Sequence, residues 1–139
     1  ISAFVPLYIK KAYAEEPSFR DSKVIFSLFD TDLKSNLQHD IADKLMLKGI
    51  EKTDVTDIIS DTATYKDLCK LAIAYSDGII QNSENVDTEL LDYAREKGIP
   101  VLEYQSPETY AEAYNNFYEE IFYFPIAVSI SHRVEGKTE

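Results

Sequence analysis

Residues 70–105, KLAIAYSDGIIQNSENVDTELLDYAREKGIPVLEYQ, constrain the fold more than any other stretch of this chain. They read as helix, strand, turn, helix, strand, and nearly every boundary carries its own chemistry. Asp77-Gly78 closes the first helix, and Gly78 to Ile80 follows as a short apolar strand. Ser83 is placed to cap a second helix, in which Val86, Leu90, Leu91 and Ala94 fall on one face. Gly98 ends that helix, and Ile99 to Tyr104 supplies the next strand. Strand, helix, strand at this spacing is a crossover unit, so its strands are expected to run parallel. On such sheets functional groups gather beyond the carboxyl ends of the strands. Those ends carry Gln81, Asn82, Ser83 and Glu84, then Glu103, Tyr104 and Gln105.

The rest of the chain extends the pattern. Phe4, Leu7, Tyr8, Lys11 and Ala12 fit a helix that stops before Pro17, because the residue before proline resists helical geometry. Lys23 to Phe29 is a continuous apolar strand, suited to a sheet covered on both faces. Asn36 to Lys48 reads as a helix closed by Gly49. Ile50 to Thr64 is polar and irregular, with one short turn at Asp54 to Ile59. Ala63 to Ser76 is a helix with Leu68, Leu71, Ala72 and Tyr75 inward. Ser106-Pro107 sets a capping hydroxyl before a proline at the first helical position, starting a tyrosine-rich helix that reaches about Tyr123. After Pro125, Ile126, Val128 and Ile130 alternate with small residues like a strand, and a polar tail runs from His132 to Glu139. The expected fold is α/β: a doubly wound parallel sheet of at least three strands with helices between them. We divide it into a domain at 1–123 and a divergent tail at 124–139.

Composition removes several function classes. The 139 residues suit one domain, and a hydrophobic fraction of 45% supplies a core. The net charge is −11, from 25 acidic and 14 basic residues. Such a field repels phosphate backbones and anionic lipid, so no nucleic-acid or membrane partner is expected. The single cysteine, Cys69, excludes an internal disulfide and a cysteine-based zinc cluster. No apolar run reaches the roughly 18 residues that span a bilayer, and no signal-peptide pattern appears, which leaves the cytoplasm as the expected compartment. The chain opens at Ile1 within an apolar-periodic stretch, which reads as a fragment or a processed chain.

Phe29-Asp30-Thr31-Asp32, directly after a buried strand, is the sharpest local motif. Two carboxylates at i and i+2 can share one metal ion or act as nucleophile and general acid. The pattern resembles the first motif of haloacid-dehalogenase-type phosphatases, although Leu33 and Lys34 stand where that family has a small residue and a threonine. It also resembles the D-x-D of metal-dependent glycosyltransferases. Paired aspartates equally serve as helix caps and turn formers. An EF-hand is excluded by Ser35 and Ile41 at its glycine and terminal acidic positions. His39 and His132 have no second ligand at metal spacing. With four glycines in all, neither G-x-G-x-x-G nor the Walker pattern occurs, so no cofactor is expected. Ser83 lacks the flanking glycines of a nucleophile elbow. The Tyr and Phe stripe of the last helix suits a core face or, alternatively, a sugar-stacking face.

Several segments resemble the glycogen and starch synthase family. VPLYIKKAYAEEPSFRDSKVIFSLFD is similar to that family's lysine-bearing V-P-x-Y-L-K helix and following strand. KLAIAYSDGIIQNSENV is similar to its K-x-G/A-x-x-Y-A/S-D helix, strand and turn, and IPVLEYQ lies where it places an L-N-G-V-D strand end. The likeness runs from about Phe4 to Ile121 and is greatest to short members. It implies the Rossmann-like half of an amino-terminal domain of GT-B type, acting on ADP-glucose and an α-1,4-glucan acceptor. It further implies retaining transfer without a metal requirement. The family's K-x-G-G-L loop and D-x-H segment precede the matching helix, so the chain is expected to hold a partial site and to be inactive alone. The positions carried over as substrate-lining are Asp30, Ser83 and Glu103; no catalytic residue or metal ligand is assigned. The competing readings are a metal-dependent phosphatase using Asp30 and Asp32, and a non-catalytic α/β binding module.

Overall fold

Three short apolar runs form the strands of one parallel sheet, and their boundaries follow the residues that cannot extend it. A computed structural model describes residues 2–30, 46, 48–59 and 64–135, with residues 2 and 124–135 as backbone only. Strands β1 (Ile25–Leu28), β2 (Gly78–Gln81) and β3 (Val101–Leu102) pair in the order β1-β2-β3. Both pairings are parallel, with Phe26 opposite Ile79 and Ile79 opposite Val101. β3 is shorter than Ile99 to Tyr104 because Pro100 has no N–H for the ladder; its carbonyl instead accepts from Ile79 N at 2.9 Å.

Helices flank the sheet. The first, α1, joins a 3₁₀ turn (Ser2–Phe4), an α turn (Val5–Leu7) and a π turn (Tyr8–Ala12), the last closed by Tyr13 N on Tyr8 O at 2.9 Å. It ends before Pro17, as the sequence predicts. A short helix, α2 (Lys52–Thr56), occupies the stretch read as irregular, and a reciprocal capping box of Glu51 and Asp54 starts it. Next comes α3 (Tyr65–Ala74), opened by the Thr64–Asp67 box, with Leu68, Leu71, Ala72 and Ile73 buried. Among the described residues, two further helices follow, α4 (Thr88–Glu96) and α5 (Tyr110–Glu135).

Three apolar clusters tie these elements together. Leu7, Ile50, Val55, Ile59, Leu68 and Leu71 join α1, α2 and α3. Ile79 packs with Leu28, Ile73, Val86, Leu90, Leu91 and Ala94 on one face of the sheet. Its neighbour Ile80 packs with Phe117 and Ile121 of α5. Successive side chains of a strand point to opposite faces, so this pair shows β2 covered on both sides. Each fully buried isoleucine contributes roughly 1.5–3 kcal/mol relative to exposure.

Three expectations are corrected. Ser83 does not cap α4: Asp87 does, its carboxylate accepting from Glu89 N at 3.0 Å. Val86 then stands just before the cap and shares a cluster with Leu91 in the first turn, the positions of a hydrophobic staple. The last helix starts at Tyr110 rather than at Pro107, because residues 107–109 form a turn whose Thr109 and Tyr110 N–H groups both donate to Ser106 O. Residues 126–130 are helical, not a strand: α5 continues past Pro125 to Glu135. A helix satisfies its backbone groups internally, whereas a strand there would need a free sheet edge, and this outweighs a cost of about 3 kcal/mol for an interior proline. The expected helix from Asn36 to Lys48 falls almost wholly outside the described residues, as do His39 and Asp32. Gly49 itself sits at φ 97°, and a Cβ there would lie 2.7 Å from Lys11 O.

Candidate functional site at the carboxyl ends of the strands

Because all three strands are parallel, the residues that follow them emerge at one end of the sheet. Asp30 lies two residues past β1 and is exposed, Ser83 lies two past β2 and is half-buried, and Glu103 immediately follows β3 and is exposed. The structure thus places the three at the same end without linking them directly. Among the described residues, none is hydrogen-bonded or ion-paired to another. Glu103 is engaged by Arg95 Nη2 at 3.2 Å, and Arg95 also reaches Asp92 at 3.5 Å. The backbone carbonyl of Ser83 accepts from Gln81 Nε2 at 3.1 Å, and that amide donates equally to Glu84 O.

Residues beside these three shape the rim. Asn82 N donates to Leu28 O at 2.8 Å, which fixes the ends of β1 and β2 to each other. Asn82 Oδ1 accepts from the Tyr114 hydroxyl, so α5 is pinned to the loop after β2. Burial pushes the Tyr114 phenol above its ordinary value, with the neighbouring Tyr118, Tyr104 and Tyr110 adding to the rise. Gln105 Nε2 turns back to Glu103 O at 3.0 Å. Tyr114 is the residue that reading the sequence misses, because its helical spacing suits a core position equally well. No spacing signal separates it, since Tyr114 and Ile121 are seven residues apart on one side of the helix and Tyr114 packs against the Ile80, Phe117 and Ile121 cluster.

Among the described residues, the lysines of α3 are neutralised by carboxylates of α4 at this end. Lys66 in the first turn of α3 meets Asp87 at 3.0 Å and also pairs with Glu89, and Lys70 reaches Glu89 at 2.7 Å. The hydrogen bonds from Lys66 and Lys70 hold the Glu89 carboxyl down at about 2. The Lys66 hydrogen bond, with the Glu89 N–H, likewise lowers Asp87, and Lys66 itself is raised, chiefly by Glu89. The amino end of α4, the kind of position that attracts phosphates, therefore already carries two carboxylates of its own.

The arrangement offers carboxylate, amide and phenol groups that can hydrogen-bond a hydroxyl-rich ligand. Among the described residues, no group of three or more His, Cys, Asp or Glu could hold a metal ion. The Asp30/Asp32 pair of the phosphatase reading is only half described, Asp32 being outside those residues. A cavity of about 240 Å³ lies at the opposite end of the sheet, lined by Lys23, Ser76, Asp77, Gly98, Ile99, Pro100 and Ile121. It lines the amino ends of the strands and includes none of the three candidate residues. Among the described residues no helix is long and apolar enough to cross a membrane.

No curated protein and no solved structure matches the chain. A family model described as the starch synthase catalytic domain matches residues 1–102. That span contains α1, α2, α3, α4 and the whole sheet, and ends with the last residue of β3, leaving α5 beyond it. On this match over most of its length, the chain belongs to the starch synthase catalytic domain family, a family of glycosyltransferases.

Proposed function

We propose that this chain is a portion of a glycogen or starch synthase that transfers glucose from ADP-glucose to an α-1,4-glucan. The observation that carries this reading is the family match across the entire parallel sheet. In this reading residues 1–123 are part of a doubly wound, Rossmann-like amino-terminal domain of GT-B type, and 124–139 are a tail of separate role. Asp30, Ser83 and Glu103 line the substrate cleft at the strand ends. Transfer proceeds with retention at the glucose and needs no metal.

The isolated chain binds ADP-glucose weakly and is inactive. Lys66, Lys70 and Arg95 are each engaged by carboxylates, and the net charge is −11. Each uncompensated like-charge pair at about 4 Å costs on the order of 1 kcal/mol in water. The test is an amide-resolved NMR titration of the 139-residue chain with ADP-glucose at low salt. The expected result is non-saturating shifts confined to residues after β1, β2 and β3. Shifts absent from those ends would overturn the site, and a dissociation constant in the low micromolar range would overturn the partial-site reading.

One observation favours a second reading, a non-catalytic α/β module that binds glucan. Among the described residues, Lys66, Lys70 and Arg95, which could serve a diphosphate, are already paired within the fold. Retention on glycogen that ADP-glucose does not alter, with no shifts at the strand ends, favours it over the transferase.

A further inference from the structure

One edge of the sheet is β1, and it lacks the features that usually close an edge. Its inner side pairs with β2, and among the described residues no strand lies on its outer side. Val24 O accepts from Asp77 N and Gly78 N, and Leu28 O accepts from Asn82 N. Val24 N turns the same way, to the Asp77 carboxylate. The even-numbered residues thus spend their backbone groups on β2. Alternation along a parallel ladder then points the N–H and C=O of Ile25 and Ser27 outward, where no described group meets them. Such edges are commonly blunted by a proline, a bulge or a charge. The opposite edge, β3, is only Val101–Leu102 and follows Pro100. Residues 24–29, VIFSLF, hold no proline, glycine or charged residue.

The chemistry of this edge points to a second copy of the chain. An antiparallel pair of identical strands has a two-fold axis, so each contact is made twice and the interface closes on itself. With the outward groups on odd-numbered residues, the axis that centres the pair falls at Phe26. Ile25 then faces the second copy's Ser27, and each facing couple exchanges both of its backbone bonds. The same register sets Lys23 against the second copy's Phe29. Both belong to the α5 side of the sheet, where Ile25 packs toward Ile80 and Lys23 shares a cavity wall with Ile121. Lys23 is exposed and Phe29 is 55% exposed. Among the described residues, Lys23 has no ion pair and Phe29 no ring contact. An ammonium over a phenyl face is a favourable couple. In a chain of net charge −11, residues 23–29 carry one lysine and no acid, so copies meeting here bring no carboxylates together.

We propose that β1 pairs antiparallel with β1 of a second copy, joining the two sheets into one continuous sheet. This stands independently of the glycosyltransferase reading. The strand has four residues, so the interface is small and the dimer forms and separates with concentration.

The test is sedimentation velocity of the 139-residue chain at concentrations from about 5 to 500 µM, a range suited to weak interfaces. Wild type should pass from monomer to dimer across it. Phe29→Lys sets lysine against lysine at both ends of the pair and should raise the dissociation constant about tenfold or more. Adding Lys23→Glu to that variant restores an opposite-charge couple and should bring the constant back to within about threefold of wild type. Both positions are exposed, and circular dichroism checks that each variant keeps its helices. Ser27→Pro removes an outward N–H without touching the ladder to β2 and should abolish the dimer. If that variant misfolds, the Phe29→Lys and Lys23→Glu pair decides alone. Tyr65→Ala, on the exposed surface of α3, should leave the dimer unchanged. A wild type that stays monomeric throughout overturns the proposal. So does a dimer that Phe29→Lys leaves intact, which places the interface elsewhere. Weakening by Phe29→Lys that Lys23→Glu does not reverse overturns the antiparallel register.

Discussion

The two ends of the sheet are held by different kinds of contact. At the amino end, Asp77 N and Gly78 N both donate to Val24 O, at 2.7 and 3.3 Å, and Val24 N returns a 2.7 Å bond to the Asp77 carboxylate. Lys10 clamps that carboxylate at 2.6 Å and reaches Ser22 O at 3.0 Å. α5 then lies directly on Gly78. At the carboxyl end, beyond the backbone bond of Asn82 N on Leu28 O, the connections run through side chains: Gln81 into its own turn, Tyr114 onto Asn82, Arg95 onto Glu103. The backbone-built end holds the strands in register. That leaves the other end able to change side chains without losing the fold, which is where a binding surface is expected.

Substitution at Gly78 should separate the two ends most sharply. A Cβ there would lie 2.8 Å from Ile121 Cδ1 and 3.1 Å from Phe117 Cζ. The tip of Ile121 can give a little, but the branched side chain of Gly78→Val cannot be accommodated without displacing α5. We expect a loss of about 1–3 kcal/mol, read from the urea midpoint. A wild-type midpoint would mean that α5 is not seated on the sheet at that end.

Removal of the clamp comes next in size. Asp77→Ala leaves Val24 N without its side-chain acceptor and Lys10 without its partner, and should cost about 1–3 kcal/mol in thermal or chemical unfolding. Asp77→Asn should cost less, because an amide oxygen can still accept from Val24 N. If both variants melt together, the charge of Lys10 rather than the backbone bond is what matters here.

At the carboxyl end, Gln81→Ala removes two bonds to exposed or half-buried carbonyls that water can replace. The expected loss is about 0.5–1.5 kcal/mol, below that of Asp77→Ala, with hydrogen exchange accelerated at residues 82–86. A larger loss than at Asp77 would reverse the assignment of which end carries the stability.

What the sequence made legible follows the same division. The three parallel strands could be read because each apolar run is bounded by residues with a fixed backbone role, Gly78 and Pro100 among them. The cap of α4 is ambiguous in the sequence because Ser83 and Asp87 both precede the same apolar face. Burial of Val86 outside the helix, a tertiary fact, decides between them. The stretch after Pro125 reads as a strand but folds as a helix, because alternation over a few apolar residues does not separate the two. The positions after the strands could be named, but not their partners. Tyr114 meets Asn82 across 32 residues, and no local pattern encodes that contact.

The smallest expected effect is a pH dependence at the carboxyl end. Glu89 is exposed, and its carboxyl is held at about 2 by hydrogen bonds from Lys66 first and Lys70 second, against an ordinary value of 4.5. A carboxyl lowered in the folded state binds its proton more weakly there than in the unfolded chain. Its contribution is therefore complete above pH 4.5, and it is lost as the pH falls through about 2. Glu89→Gln deletes the charge, so wild type should exceed the variant in thermal midpoint by a constant small amount near neutrality, and the two curves should converge on acidification through that window. Solvent screens an exposed pair, so the gap should also narrow with salt. Neither Gly78→Val nor Asp77→Ala should show such salt-sensitive convergence to the same degree, since steric overlap and a backbone hydrogen bond do not depend on Glu89. Curves for Glu89→Gln and wild type that stay parallel down to pH 2 would show that the lysines of α3 hold the amino end of α4 by packing rather than by charge.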